Sequence, residues 1–235
     1  MRTFLLVHGA WEAGWVWREV ASRLREAGHE VYCPTLTGLG ERSHLLSPAV
    51  DLETHITDVL GVIRWEQLDN VTLVGHSYGG MVVTGVADRV HEKIGSLIYL
   101  DAFLPKDDQA LFDMVPAEHV VRLRKLAHEH GEGRYLPVAA LPSVNVSDLE
   151  LAMLKERCVP HPLAAMQQKL RVAGNHLKIP KKAFVLAARY APSAFPRFAQ
   201  EAAALGWPVE SLPTHHFTMI SMPRETADVL MRHAA

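Results

Sequence analysis

Apolar residues in the first half of the chain recur with two alternating periods. Thr3–Val7 is an apolar run ended by His8-Gly9, as a strand covered on both faces requires. From Trp15 to Ala27, Val16, Val20, Leu24 and Ala27 fall at helical spacing, and Gly28 stops the pattern. Glu30–Cys33 reads as a short strand closed by Pro34, and a glycine-rich loop follows at 35–40. Asp51 to Leu68 is a long helix with Leu52, Ile56, Val59, Leu60 and Ile63 on one side. Val71–Val74 is a third strand, Gly79 to Val90 a helix, and Ile94–Leu100 a fourth strand. Repeated β-α-β units of this length call for a mostly parallel sheet with helices on both faces.

The pattern breaks at Phe103. From there to about Lys182 no strand is evident, and seven prolines (105, 116, 137, 142, 160, 162, 180) interrupt the chain. Helical pieces at Ala117–His130, Asp148–Arg157 and Leu163–Gln168 lie between those prolines. An irregular helical insertion of this kind is a natural cap. The competing reading is a separate small domain, but no flexible linker flanks the segment. The β pattern returns at Ala183–Ala187, followed by a helix around 200–205, a strand at Trp207–Leu212 and a helix at Arg224–His233 after Pro223. The expected layout is a core of residues 1–103 and 183–235 with a helical cap at 104–182. The sheet has about six strands, and the cap precedes the last two.

Composition narrows the class. With 235 residues, 49% of them hydrophobic, the chain can bury one sizeable core. A formal net charge of −2 without a basic stripe argues against a nucleic-acid partner. Two cysteines, Cys33 and Cys158, make a disulfide framework an unsuitable reading. The apolar run after Met1 is too short for a signal peptide or a membrane span, which points to a cytoplasmic protein without a membrane partner. Fourteen histidines without metal-ligand spacing predict no metal site.

The chemistry centres on Gly75-His76-Ser77-Tyr78-Gly79. An apolar strand enters this G-x-S-x-G and an amphipathic helix leaves it, the context that a nucleophile elbow requires. Ser77 would then be presented at the carboxyl end of the sheet, with backbone N–H groups at a helix N-terminus favouring an anion. After the first strand comes His8-Gly9-Ala10-Trp11, placed to supply a second oxyanion donor. The expected oxyanion hole is the N–H of Ala10 and of Tyr78.

A serine nucleophile needs a base, and in folds built on such an elbow the order is Ser, acid, His. His215 and His216 follow the last strand, and His216 is preferred. The usual place for the acid, the loop after Ala187, carries no carboxylate over 188–194. Asp101, at the end of an apolar strand, is costly to bury without a partner, and a histidine would provide one. Asp101 is therefore the expected acid, although it could instead cap the next segment. Asp107 and Asp108 are lesser candidates, and Glu210 falls within the last strand.

These motifs together resemble the plant methylesterase and hydroxynitrile-lyase group of α/β-hydrolases and related bacterial esterases. The resemblance is carried by Leu6–Trp11, Gly14-Trp15-Val16-Trp17, Glu26–Val31, Val74–Met81 and Phe103-Leu104-Pro105. It implies the α/β-hydrolase fold with a helical cap, a Ser-His-Asp triad and no cofactor. The lyases of that group carry Thr where Gly9 stands, Glu where His76 stands, and Lys where Phe217 stands. At all three positions the sequence looks like the esterases. The expected function is hydrolysis of small hydrophobic or aromatic carboxylic esters through an acyl-enzyme. The expected pocket wall is Trp11, Phe103, Phe112, Phe217 and Met219. Two other classes are kept: C–C cleavage on the same scaffold, either lyase or cofactor-free dioxygenase chemistry, and a non-catalytic small-molecule binder. A homodimer is an open expectation.

Overall fold

The computed structural model describes residues 1–142, 145–191 and 193–235. Ser143 and Val144 of the expected cap, and Pro192 of the loop after the fifth strand of the main sheet, lie outside the described residues.

In chain order the first half contains β1 (Thr3–Val7), α1 (Arg18–Glu26), β2 (Glu30–Tyr32), α2 (Leu52–Trp65), β3 (Val71–His76), α3 (Gly79–Arg89) and β4 (Ile94–Leu100). The expected helix from Trp15 opens instead as a 3-10 turn, Gly14–Trp17, before α1. Asp51 caps α2: its carboxylate accepts the Thr54 N–H, and the Thr54 side chain returns the contact.

The second half contains α4 (Ala117–His130), β5 (Tyr135–Leu136), α5 (Asp148–Arg157), β6 (His161–Pro162), α6 (Leu163–Gln167), β7 (Lys181–Ala187), α7 (Phe195–Ala204), β8 (Val209–Leu212), α8 (Thr218–Ser221) and α9 (Pro223–His233). One expectation is corrected. The 103–182 stretch does contain strand, because β5 and β6 pair antiparallel through Tyr135–Pro162 and Leu136–His161. Two-residue strands leave no periodic signal in a sequence.

The main sheet has six strands in the order β2-β1-β3-β4-β7-β8, all pairs parallel. Strands β3 and β4 are buried along their whole length. That burial explains why they read as unbroken apolar runs. In an open parallel sheet ligands bind outside the carboxyl ends of the strands, and there the neighbouring strands β1, β3 and β4 release their loops side by side. Among the described residues, no helix is long and apolar enough to cross a membrane.

Candidate active site

Ser77 sits on the turn between β3 and α3 with φ +54°. Such a backbone costs a non-glycine residue about 1–3 kcal/mol and persists only where its surroundings impose it. Here the Ser77 carbonyl accepts the N–H groups of Gly80 (3.0 Å) and Phe103 (3.1 Å). Gly80 is needed for proximity: a Cβ there would run into the Phe103 carbonyl oxygen. The elbow is thus clamped against the start of the segment that follows β4.

The loop after β1 is held as firmly. His8 accepts the Leu36 N–H at Nε2 (3.1 Å), which leaves Nδ1–H to donate to the Gly9 carbonyl (2.8 Å). Trp11 has φ +65°, unusual for a bulky side chain, and three hydrogen bonds tie it to residues 136–161. Its N–H donates to His161 Nδ1 (3.4 Å), its indole N–H to the Leu136 carbonyl (3.0 Å), and its carbonyl accepts the Val159 N–H (3.1 Å). The Tyr78 hydroxyl donates to His55 Nδ1 (2.8 Å), and His55 Nε2–H donates to the Thr37 carbonyl. Burial pulls His55 down to about 4, so the ring stays neutral and keeps a lone pair for the phenol. The backbone N–H groups of Ala10 and Tyr78 find no acceptor among the described residues. Both residues line one cavity with Ser77.

His216 and Asp101 meet in the interior. His216 Nδ1 lies 2.6 Å from Asp101 Oδ2, and both side chains are almost fully buried. Asp101 Oδ1 accepts the Ala187 N–H at 3.0 Å. Burial pushes Asp101 up to about 7, opposed by that N–H and by the charge of His76. Burial also holds His216 well below the ordinary histidine range, and His76 adds to the effect. A neutral His216 with its proton on Nδ1 leaves Nε2 free as an acceptor. Nε2 makes no hydrogen bond to the Ser77 hydroxyl in this conformation; such contacts often tighten only around substrate.

The cavity encloses about 370 Å³ and is lined by Ala10, Trp11, Ser77, Tyr78, Phe103 and His216 from the sheet side. Leu111, Leu123, Leu141 and Met166 close it from the 104–182 segment. A groove, lined in part by the same Phe103, Tyr190 and Phe195, continues outward past Pro116 and Arg197. His119 and Arg122 also reach it, so the wall mixes apolar side chains with polar groups, and an enclosed cavity onto which polar groups converge is the form of a small-molecule site.

Residues 4–229 match the Alpha/beta hydrolase family. This protein belongs to that family. The hydrolase is 43% identical over 239 residues to "Carbendazim hydrolyzing esterase" of Nocardioides sp. (strain SG-4G), covering 98% of each chain. It is 22% identical over 247 residues to "Polyneuridine aldehyde esterase" of Rauvolfia serpentina, covering 97% of the hydrolase and 94% of the relative. Its fold follows that of an extracellular alpha/beta-hydrolase from a Paenibacillus species, described as sharing structural and functional homology with tobacco salicylic acid binding protein 2. The TM-score is 0.88 at 24% identity, over 100% and 99% of the two chains.

Three residues expected in the pocket wall of the hydrolase are absent from it. Phe112 is buried with Arg124 lying over its ring, and Met219 is fully buried in the core. Phe217 turns inward, its ring 5.4 Å from His216 and 6.2 Å from His76. Apolarity alone does not distinguish a pocket wall from the core behind it. The other acids have partners elsewhere: Asp108 bonds Lys169 and Arg171, and Glu210 bonds Arg232 and His233. His215 faces Glu150 of α5. Sequence reasoning missed Tyr190 and Phe195, whose rings stack on His216 at 4.6 Å and 5.0 Å. Tyr190 lies in the loop that carries no carboxylate, so that loop provides an aromatic face where an acid was sought.

Proposed function

We propose that this hydrolase is a serine esterase acting on small hydrophobic or aromatic carboxylic esters. One observation carries the reading: Ser77, the Asp101-bonded His216 and the N–H groups of Ala10 and Tyr78, without an acceptor among the described residues, border a single cavity. Ser77 Oγ attacks the ester carbonyl while its proton passes to His216 Nε2. The Ala10 and Tyr78 N–H groups receive the oxyanion. His216 returns the proton to the leaving alkoxide, and an acyl-enzyme remains. A water then gives its proton to His216 and attacks the acyl carbon; as the acyl–oxygen bond breaks, His216 returns that proton to Ser77 Oγ, releasing the acid. Asp101 holds the Nδ1–H throughout.

In this reading residues 1–103 and 183–235 form the catalytic core and 104–182 a cap that closes the apolar side of the pocket. The esterase relative at 43% identity supports the assignment, and carbendazim is the first compound to try as substrate. Phe217, buried beside His216, also favours ester hydrolysis, since it offers no cation to a departing cyanide.

Purified protein is incubated with a nitrophenyl acyl ester, with an aromatic cyanohydrin and with a fluorophosphonate probe. Ester turnover and labelling of Ser77, both lost in Ser77→Ala, are expected. Cyanide release without ester turnover would overturn the assignment. So would an unlabelled Ser77, which would make the protein a binder.

A further inference from the structure

Two ionisable residues that take no part in those steps are buried directly behind the site. His76 precedes Ser77 and is 0% exposed; Glu12 lies on the loop after β1 and is 2% exposed. Glu12 Oε2 accepts the Gly9 N–H at 2.8 Å and lies 3.2 Å from His76 Nδ1. The other ring nitrogen, His76 Nε2, lies 3.0 Å from the backbone carbonyl of His216. A carboxylate and a carbonyl are both acceptors, so the ring satisfies both only with a proton on each nitrogen. A lone buried charge is costly, whereas a hydrogen-bonded pair offsets it.

We propose that the Glu12–His76 ion pair positions the reacting groups by tying together the three segments that carry them. It holds the oxyanion loop at Gly9, next to Ala10, the nucleophile elbow at His76 itself, and the base loop at the His216 carbonyl. The proposal rests on the esterase reading of Ser77 and His216. Glu12 and His76 are positioning residues, since neither lines the cavity.

The packing leaves the pair little freedom. A Cβ on Gly9 would stand 2.9 Å from Ser77 Cβ, 3.0 Å from His76 Nδ1 and 3.2 Å from Glu12 Oε1. The His76 ring centroid is 4.5 Å from that of His216. Burial works against a charge on His76, yet the charge and hydrogen bond of Glu12, joined by the Asp101 charge and the His216 carbonyl, outweigh it and raise the ring above its ordinary range. Burial likewise works against the Glu12 carboxylate, and His76, together with His8 and the Gly9 N–H, outweighs it in the opposite sense. Two positions at which the sequence resembles esterases rather than lyases, Gly9 and His76, therefore belong to one contact cluster.

The test is Glu12→Gln. Glutamine keeps the size and an acceptor for the Gly9 N–H but removes the counter-charge, so His76 drops to a single N–H. The groups facing His76 are Glu12 and His8 from the first loop, Asp101 from the end of β4, and His216. A neutral His76 no longer opposes protonation of His216 and no longer supports the Asp101 carboxylate. Loss of the Glu12 charge acts on His216 in the opposite sense but is the smaller effect, so the acid limb of kcat/KM moves to higher pH. The expected kcat falls about ten- to a hundredfold, with KM held within about twofold. An unchanged kcat with an unmoved acid limb overturns the proposal. If the variant does not fold, ring 15N spectra of the unaltered protein decide: both His76 nitrogens protonated at neutral pH is expected, and a single-proton tautomer overturns the proposal. A Ser77→Ala enzyme that still turns over ester would defeat the esterase reading and leave those spectra unaffected.

Discussion

Ser77 and Asp101 leave the sheet side by side, each one residue beyond a register pair, His76 with Leu100, on β3 and β4. Both have left-handed backbones, φ +54° and +43°. The end of β7 contributes backbone groups alone: the Val185 carbonyl accepts the Asp101 N–H, and the Ala187 N–H binds Asp101 Oδ1. His216, from the loop after β8, reaches across to the other carboxylate oxygen.

Asp101→Asn should separate catalysis from folding. Asparagine tolerates a left-handed backbone and can still accept the Ala187 N–H, so the strand ends stay in place. Its single oxygen cannot accept both the Ala187 N–H and the His216 Nδ1–H; with the oxygen on Ala187, the NH2 group faces Nδ1 as a donor, and His216 is left in the wrong tautomer. The expected loss is about 10⁴-fold in kcat, read with a nitrophenyl acyl ester. In the unaltered enzyme, kcat/KM should fall as pH drops through neutrality, because Asp101, pushed up to about 7, takes up a proton there. An acid limb that lies well below that range would contradict the assignment.

The same substitution should stabilise the protein at alkaline pH. A carboxyl whose folded pKa is raised binds its proton more tightly folded than unfolded. The resulting penalty is absent below the ordinary value of 3.8, grows as pH rises, and is complete above about 7. The uncharged amide of the variant carries no such penalty. Melting midpoints of the two proteins should therefore diverge in favour of the variant between about pH 4 and 8, by up to about 4 kcal/mol at roughly 1.4 kcal/mol per pKa unit. Parallel curves would show that Asp101 is not held out of water.

Gly80→Ala tests the clamp behind the elbow. The new methyl meets the Phe103 carbonyl, a backbone atom that cannot swing aside. The expected cost is about 1–3 kcal/mol of stability, measured by denaturant midpoint, with reduced fluorophosphonate labelling of Ser77 in the folded fraction. A variant as stable and as reactive as its parent would count against this contact.

Tyr190 should matter for its ring alone. It stacks on His216 at 4.6 Å, and its hydroxyl makes no hydrogen bond among the described residues. Tyr190→Phe is expected to keep kcat within about twofold, and Tyr190→Ala to lower it by about tenfold, in line with the roughly 0.5–1.5 kcal/mol of an aromatic pair. Equal losses in both variants would assign the role to the hydroxyl instead.

The parallel sheet and the elbow at Ser77 were legible in the order of residues alone. Each depends on short-range pattern: an apolar run of fixed period, a turn of small residues, and a helix start. The absence of a carboxylate after Ala187 was also legible, and it leaves Asp101 as the acid that ends an apolar strand. Which side chains meet is settled by the folded chain. Asp101 and His216 are 115 positions apart, and Glu12 and His76 are 64 apart. Strand register and side-chain direction bring such pairs together, and neither leaves a local signal. The pocket wall belongs to the same class: Trp11 and Phe103 face the cavity while Phe112, Phe217 and Met219 face the core. Hydrophobicity is identical evidence for both fates, and only packing separates them.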